Sequence, residues 1–152
     1  MVQVCVAFGA NLGDAQATVL QAIQDVGALA NTQLQIASSL YASAPHEAIG
    51  PEFVNAVAMY DTDLPPLELL DALQNLEKTA GRERPYLNAP RTLDLDMIFY
   101  GDVALDSPRL TLPHPRWQMR AFVLVPLAEI SSDRVSPALL SNVANQPVSR
   151  IG

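Results

Sequence analysis

The spacing of apolar residues in the first third of the chain predicts a strand, a helix and a second strand. Apolar residues alternate over 2–8 with neighbours that are mostly apolar, which predicts a central strand buried on both faces. A glycine-bearing turn follows, in which Asp14 is placed to cap a helix that runs to about Ala30. The predicted core stripe of this helix is Val19, Leu20, Ile23 and Val26. A second strand is predicted over 34–41.

The middle of the chain continues with a strand, a helix and a strand. Residues 53–60 predict a third strand, and a second helix begins at Pro65-Pro66, because proline is tolerated in a first helical turn. Gly81 ends this helix, whose predicted core stripe is Leu69, Leu70, Leu73, Leu76 and Ala80. A fourth strand begins at Leu93. The order is β-α-β-β-α-β, so the predicted fold class is α+β with a ferredoxin-like core.

A short C-terminal extension is expected after this core. The apolar pattern predicts a short strand near 110–112 and a short helix near 125–130. The residues from Ser131 onward are expected to be loosely structured.

Composition and charge narrow the class of protein. The 152 residues are 49% hydrophobic and only 16% charged, which excludes general disorder and predicts a single domain over 1–152. The absence of a long apolar run and of a signal peptide predicts a cytoplasmic protein without a membrane partner. A net charge of −7 argues against a nucleic-acid partner. We expect a monomer, with the single Cys5 in the core.

Two aspartates in the predicted fourth strand are candidates for a metal site. Leu93, Leu95, Met97 and Phe99 are predicted to share one face of the strand. Asp94 and Asp96 then project together from the opposite face, about 6–7 Å apart along the backbone. Paired carboxylates suit Mg²⁺, which completes its shell with water and phosphate oxygens. The alternative reading is the solvated face of a half-buried strand.

Other residues near the aspartates favour an anionic or flat polar ligand. Arginines are concentrated in one stretch of an acidic chain and consist of Arg82, Arg84, Arg91, Arg109, Arg116 and Arg120. His114 is held between two prolines, which suggests a positioned ligand contact, although a lone histidine in a loop is more often an ordinary surface residue. Phe53 and Asn55 share one strand face and could stack against and recognise a flat polar ring, or simply pack in the core.

Several motifs in the same order resemble the 6-hydroxymethyl-7,8-dihydropterin pyrophosphokinase family of folate biosynthesis. The family signature is matched by Pro90-Arg91-Thr92-Leu93-Asp94-Leu95-Asp96. Further matches are Gly9-Ala10-Asn11-Leu12-Gly13, Phe53-Val54-Asn55-Ala56, Gly81-Arg82-Glu83-Arg84, Arg109-Leu110-Thr111-Leu112-Pro113-His114 and Arg120-Ala121-Phe122-Val123-Leu124-Val125-Pro126-Leu127. The resemblance covers nearly the whole chain, and the family's ferredoxin-like fold agrees with the predicted strand order.

The resemblance implies a reaction and a set of site residues. Pyrophosphate would move from ATP to the hydroxymethyl oxygen of the pterin, with release of AMP. Two Mg²⁺ ions would be held by Asp94 and Asp96, which with Arg82 and Arg91 form the implied catalytic set. The implied ATP contacts are Gln74, Glu77, Arg82, Arg84, Arg91, Met97, Arg109, Thr111, His114 and Arg120. The implied pterin contacts are Ser43, Ala44, Pro45, His46, Phe53, Asn55 and Phe122.

The chain departs from the commonest family pattern at a few positions. Ala10 stands where serine is usual, Ala44 stands where a second proline is common, and Leu87-Asn88-Ala89 replaces an Arg-Trp-Gly sequence. None of these changes removes an implied metal ligand or phosphate arginine, so an active enzyme is expected. Two other functions stay open: a different Mg²⁺-dependent phosphoryl or nucleotidyl transferase on the same fold, and a non-catalytic module that binds a small ligand.

Overall fold

The computed structural model describes residues 1–44, 51–80 and 93–151. The strands are β1 (Val2–Ala10), β2 (Thr32–Ala37), β3 (Tyr41–Ser43), β4 (Phe53–Thr62), β5 (Asp94–Tyr100), β6 (Leu105–Asp106), β7 (Thr111–Leu112) and β8 (Val148–Arg150). The α-helices are α1 (Ala15–Gly27), α2 (Pro66–Ala80), α3 (Ala121–Ile130) and α4 (Pro137–Asn142). Single 3₁₀ turns lie at Trp117–Met119 and Ser132–Arg134.

An antiparallel sheet forms the middle layer of the molecule. Its strand order is β5-β1-β4-β3-β8, and β2 also pairs with β4. The predicted second strand is therefore two strands, which lie one after the other along the same edge of β4. The predicted central position of β1 is confirmed, since β1 lies between β4 and β5, and the predicted core position of Cys5 is confirmed as well.

Helices α1 and α2 cover one face of the sheet, close to where the apolar pattern predicts them. The side chain of Asp14 accepts a hydrogen bond from the Ala17 N–H at 3.1 Å, which confirms the predicted cap. The buried stripe of α1 is Val19, Ala22, Ile23 and Val26, at the i, i+3, i+4, i+7 spacing. Leu20 was predicted to lie in this stripe, but it points to solvent with 53% exposure. The helix also ends earlier than predicted, at Gly27.

A β-bulge changes the predicted pattern of β5. Met97 lies opposite Val6 and Phe99 lies opposite Cys5, so Ile98 is an extra residue between the two pairs. Met97 keeps its predicted place against the helices, whereas Phe99 packs on the other face of the sheet. The prediction that Phe99 shares a face with Met97 is therefore wrong, because a bulge shifts the two-residue period by one.

The C-terminal extension packs against the second face of the sheet and is more ordered than its sequence suggests. Helix α3 begins at Ala121, with Pro126 inside it, so the predicted helix over 125–130 was too short. The expectation of loose structure from Ser131 is wrong, since α4 and β8 both form, with Val135 and Val143 buried. In the part of the chain that the structure describes, no helix is long and apolar enough to cross a membrane.

Candidate active site

A cleft of about 870 Å³ opens on the second face of the sheet. Its floor is formed by β1 and by the adjoining ends of β4 and β5, and one wall comes from the start of α3 and the segment before β8. The residues that line it are Ala7, Phe8, Gly9, Ser43, Ala44, Phe53, Asn55, Glu77, Asp94, Asp96, Arg116, Met119, Arg120, Phe122, Asn145, Gln146, Pro147 and Val148. The cleft thus combines acidic, basic, amide and aromatic groups.

Strand pairing explains how distant residues meet on the cleft floor. Gly9 lies opposite Asp94 on β5 and opposite Asn55 on β4, so these three residues form one row across the sheet. Directly paired residues project from the same face of a sheet. A Cβ atom at Gly9 would lie 3.3 Å from the Asn55 amide nitrogen, which is a tight contact. Glycine at this position therefore leaves room for the amide and for a ligand above it.

Asp94 and Asp96 lie at the open end of β5, on the face opposite the helices. Asp94 is exposed and Asp96 is partly exposed, while Leu95 between them is buried in the core. The Leu95 N–H donates a hydrogen bond of 2.9 Å to a Glu77 carboxylate oxygen, which ties this end of β5 to α2. A guanidinium nitrogen of Arg120 lies 3.7 Å from a carboxylate oxygen of Asp96. The site therefore places two hard oxygen donors next to a cation.

Another part of the cleft lining combines two aromatic rings with a buried amide. Phe53 and Phe122 line the cleft together with Asn55, which is only 5% exposed. The Ser43 hydroxyl donates a hydrogen bond of 2.5 Å to the Asn55 carbonyl oxygen, and this bond fixes the orientation of the amide. The Arg120 guanidinium carbon lies 5.5 Å from the centre of the Phe122 ring. This arrangement can bind a flat polar ring and orient it by hydrogen bonds.

Of the residues predicted to contact the nucleotide, only some line the cleft. Arg109 donates hydrogen bonds of 2.5 Å to Asp71 and 3.3 Å to Gln74, and neither Arg109, Gln74 nor Thr111 lines the cleft. Glu77 and Arg120 do line it. The Met97 side chain is 3% exposed and lies in the core beneath the helices, so only its backbone atoms could contact a nucleotide.

His114 is held in place by its backbone and by its ring. It follows a cis peptide bond between Leu112 and Pro113, and its N–H donates a 2.7 Å hydrogen bond to the Ile98 carbonyl of β5. The Arg116 N–H donates to His114 Nδ1 at 3.0 Å, which leaves Nε2 as the protonated nitrogen of the neutral ring. Burial lowers the pKa of His114 despite the opposing charge of Asp96. A neutral imidazole is therefore the favoured form near neutral pH.

Five predicted site residues lie outside the described residues. These are Pro45, His46, Arg82, Arg84 and Arg91, and their roles stay predictions.

The structure adds residues that the sequence pattern did not indicate. Asn145, Gln146, Pro147 and Val148 line the cleft, as does Met119. The segment before β8 reaches the cleft because β8 pairs with β3, which places Val148 opposite Ser43. This pairing joins residues about a hundred positions apart in the chain, and no local sequence pattern predicts it. The side-chain amide of Gln146 is the only sequence-level signal, and a single amide is not distinctive.

Comparison with known proteins shows which family the chain resembles. Residues 5–132 match the family described as 7,8-dihydro-6-hydroxymethylpterin-pyrophosphokinase (HPPK). The chain is 47% identical over 132 residues to the 2-amino-4-hydroxy-6-hydroxymethyldihydropteridine pyrophosphokinase of Pseudomonas aeruginosa, covering 86% of this chain and 82% of the relative. It is 43% identical over 141 residues to the same-named protein of Haemophilus influenzae, covering 90% and 86%. It is 38% identical to the folic acid synthesis protein fol1 of Pneumocystis carinii, covering 93% of this chain and 19% of that longer protein.

Solved structures agree at the level of the fold. A crystal structure of an HPPK-DHPS in complex with substrates superposes with a TM-score of 0.68 at 12% identity, over 95% of this chain and 43% of that one. The wild-type HPPK-DHPS of Plasmodium falciparum gives a TM-score of 0.64 at 12% identity, over 86% of this chain and 40% of that one. The chain thus spans less than half the length of these two structures. On the family match and the relatives above 40% identity, this chain belongs to the 7,8-dihydro-6-hydroxymethylpterin-pyrophosphokinase family.

Proposed function

We propose that the protein transfers pyrophosphate from ATP to the hydroxymethyl oxygen of 6-hydroxymethyl-7,8-dihydropterin, releasing AMP, as a step of folate biosynthesis. The observation that carries this proposal is a single cleft whose lining includes a buried amide, two phenylalanines and a pair of carboxylates. A flat heterocycle at one end would present its substituent to a polyphosphate at the other. The family membership and the relatives' names support the same reaction.

The pterin occupies the aromatic end of the cleft in this proposal. Phe53 and Phe122 supply apolar faces for the ring, and offset stacking of aromatic groups adds to simple burial. Asn55 supplies both a carbonyl acceptor and an amide donor, which match the mixed donors and acceptors on a pterin edge. The Ser43–Asn55 hydrogen bond prevents the amide from rotating, so recognition does not require reorganisation on binding. Backbone atoms of Ala44, which also lines the cleft, complete this end.

Asp94 and Asp96 hold two Mg²⁺ ions in this proposal. Mg²⁺ is commonly bound by one or two carboxylates, and substrate phosphates and water supply its remaining ligands. The pair fits this pattern, since it supplies two carboxylates that line the cleft and are exposed or partly exposed. When bound, Mg²⁺ neutralises negative charge on the triphosphate.

The protein's own contribution to the reaction is positioning and electrostatic stabilisation. Phosphoryl-type transfer asks for an in-line nucleophile and for cations around the charge that develops on phosphate oxygens. Arg120 lies between Asp96 and Phe122, so it can contact the polyphosphate next to the pterin. A planar guanidinium suits phosphate oxygens, and Arg82, Arg84 and Arg91 are proposed to act in the same way.

The nucleotide end is proposed to extend from the carboxylates toward α2 and β7. Glu77 lines the cleft, and Gln74 lies one turn away on the same helix, within hydrogen-bonding distance of Arg109. His114 is kept neutral and carries its proton on Nε2, so it can donate one hydrogen bond without adding a charge. Thr111 and the backbone of Met97 complete the proposed set.

The core is proposed to be a single ferredoxin-like domain. The pairing of β5 with β1, of β1 with β4 and of β4 with β2 and β3 supports this, because it is the 4-1-3-2 antiparallel order once β2 and β3 count as one interrupted strand.

The direct test is a product assay with purified protein. Incubation with ATP, Mg²⁺ and the hydroxymethyl dihydropterin should yield AMP and a pyrophosphorylated pterin in equal amounts. Omission of either Mg²⁺ or the pterin should abolish AMP formation. Release of ADP would favour a different phosphoryl transferase on this fold, and pterin binding without turnover would favour a ligand-binding module.

A further inference from the structure

Arg120 is a single extended residue between two helical segments. Its φ of −122° and ψ of 110° separate the 3₁₀ turn Trp117–Met119 from α3. No side chain at the N-cap of α3 accepts a hydrogen bond from the helix. Since Arg120 is this junction residue and lines the cleft beside Asp96, a small backbone rotation there moves a phosphate-facing cation.

One side chain holds both peptide groups that flank Arg120. The Gln146 carbonyl oxygen accepts from the Ala121 N–H at 2.9 Å, and its amide nitrogen donates to the Met119 carbonyl at 2.9 Å. The two backbone partners fix which end of the amide is which. A carboxylate can only accept and an ammonium can only donate, so a primary amide is the group that serves both positions.

The segment that carries Gln146 is itself anchored at two points. The Gln146 N–H donates to the Val143 carbonyl at 2.9 Å, and Val143 is buried against the second face of the sheet. Two residues further on, Val148 pairs with Ser43 in the β8–β3 ladder. Ser43 in turn donates to Asn55. A continuous set of contacts therefore runs from the proposed phosphate arginine to the proposed pterin amide.

We propose that Gln146 is a positioning residue for the transfer reaction, acting through Arg120. It fixes the direction in which Arg120 leaves the backbone, and so the place of the guanidinium beside Asp96. The proposal rests on the function proposed above and assigns a role to the C-terminal segment, which the sequence pattern alone presents as loose chain. Its effect should appear in kcat, because a misplaced cation weakens stabilisation of the developing charge more than it weakens pterin stacking.

The test is Gln146→Met, which keeps the length of the side chain and removes both hydrogen bonds. Because Gln146 is exposed, the variant should fold, and circular dichroism checks this. We expect kcat to fall about tenfold with little change in the KM for the pterin. Gln24→Met is the matched control, since Gln24 is exposed on α1, on the other side of the sheet, and should leave kcat unchanged.

A double-mutant cycle separates positioning from a merely structural role. In an Arg120→Ala background, Gln146→Met should cause no further loss of kcat, because the group through which it acts is gone. An equal loss in both backgrounds, or an unchanged kcat in the single variant, would overturn the proposal.

A spectroscopic readout makes the proposal independent of turnover. Trp117 is the only tryptophan, and it lies in the 3₁₀ turn that Gln146 holds. Its emission spectrum should change in Gln146→Met without any ligand and stay constant in Gln24→Met. If wild-type protein formed no AMP, the proposed function would fail. An unchanged Trp117 spectrum would instead show that the Gln146 hydrogen bonds do not hold the backbone around Arg120, whether or not the protein is active.

Discussion

The two faces of the sheet are built from the same strands but differ in burial and in role. On the face under α1 and α2, side chains such as Val4, Val6 and Phe8 are almost fully buried in one continuous apolar cluster. On the opposite face, among the residues that the structure describes, the C-terminal extension covers only part of the sheet, and the cleft lies beside it. There β1 presents Ala7 and Gly9, whose small size leaves space above the strand. One face stabilises the fold, and the other leaves room for a ligand.

Polar groups follow the same division. Asn55, Asp94 and Asp96 all lie on the cleft face, while their strand neighbours Val54, Leu93 and Leu95 lie in the cluster under the helices. Alternation along a strand therefore lets one stretch of chain contribute to the core and to the site at once. The difference between the faces teaches that substitutions a single residue apart should affect either stability or turnover, and seldom both.

Asp96→Asn should have the largest effect of any single change on the cleft face. It removes a proposed metal ligand while keeping the side chain's volume, so turnover should fall about a hundred- to a thousandfold. The thermal midpoint should stay close to that of the wild type, because Asp96 is not part of the core. Steady-state AMP formation and thermal unfolding measure the two quantities. Asp102→Asn, in the exposed turn after β5, is the matched control. Near-normal activity of Asp96→Asn would argue against the two-aspartate metal site.

Leu73→Ala tests the other side of the comparison. Leu73 is 1% exposed on α2, and removing its buried methyl groups should lower the free energy of unfolding by about 3 kcal/mol. The kcat measured well below the unfolding midpoint should hardly change, because the side chain lies on the face away from the cleft. Urea unfolding gives the stability. Leu67→Ala on the same helix is the control, since Leu67 is exposed and its loss should cost less than about 0.5 kcal/mol. A large drop in kcat for Leu73→Ala would mean that the two faces are not separable.

Asn55→Leu should separate pterin recognition from nucleotide binding. The substitution keeps a similar volume but removes the amide, so the KM for the pterin should rise about ten- to a hundredfold while the KM for ATP changes little. Ser43→Ala is the informative partner, because it removes only the hydrogen bond that orients the amide. Its effect on the KM for the pterin should be smaller. Equal effects would show that the whole contribution of the Asn55 amide depends on its hydrogen bond from Ser43. A parallel rise in the KM for ATP would contradict a role of Asn55 in pterin recognition alone.

The sequence predicts the helix face well because its signals are local. Asp14 caps α1, Pro66 begins α2, and Leu69 and Leu73 recur at helical spacing, so each element can be recognised within its own length. The wrong prediction for Leu20 also has a local origin. The predicted and observed stripes of α1 share three residues and differ only in whether Leu20 or Ala22 is the fourth, and hydrophobicity alone favours leucine. The bulge at Ile98 is set by pairing with β1, which lies far away in the chain.

The cleft face is less predictable because its parts come together only in the folded chain. Asp94, Asp96, Phe53, Asn55 and Phe122 could be named from motifs, and all five line one cleft. Gln146 could not, since it reaches Met119 and Ala121 only after α4 and β8 have packed. The apolar pattern predicts a helix only over 125–130, whereas α3 begins at Ala121, where its buried residues pack on the sheet. Tertiary contacts overrode local propensity at this point.

Glu129→Gln should have the smallest effect, and its pH dependence makes it the sharpest probe of how the extension is attached to the sheet. The Glu129 carboxylate on α3 accepts hydrogen bonds from the Tyr41 hydroxyl at 2.6 Å and from the Ser39 N–H and hydroxyl at 2.9 Å each. Burial raises the pKa of Glu129, but these hydrogen bonds outweigh burial and hold the pKa below its ordinary value of 4.5.

A lowered pKa means that the folded protein favours the carboxylate, so the stabilisation is complete above pH 4.5 and is lost as pH falls through the lower folded-state value. The variant should therefore lose about 1 kcal/mol of unfolding free energy at neutral pH and progressively less in acid. Urea unfolding from neutral to acidic pH measures this, with the exposed Glu68→Gln on α2 as the control. A penalty that stayed constant down to the most acidic pH would show that the charge of Glu129 does not hold α3 to β3, and that apolar packing alone attaches the extension to the cleft face.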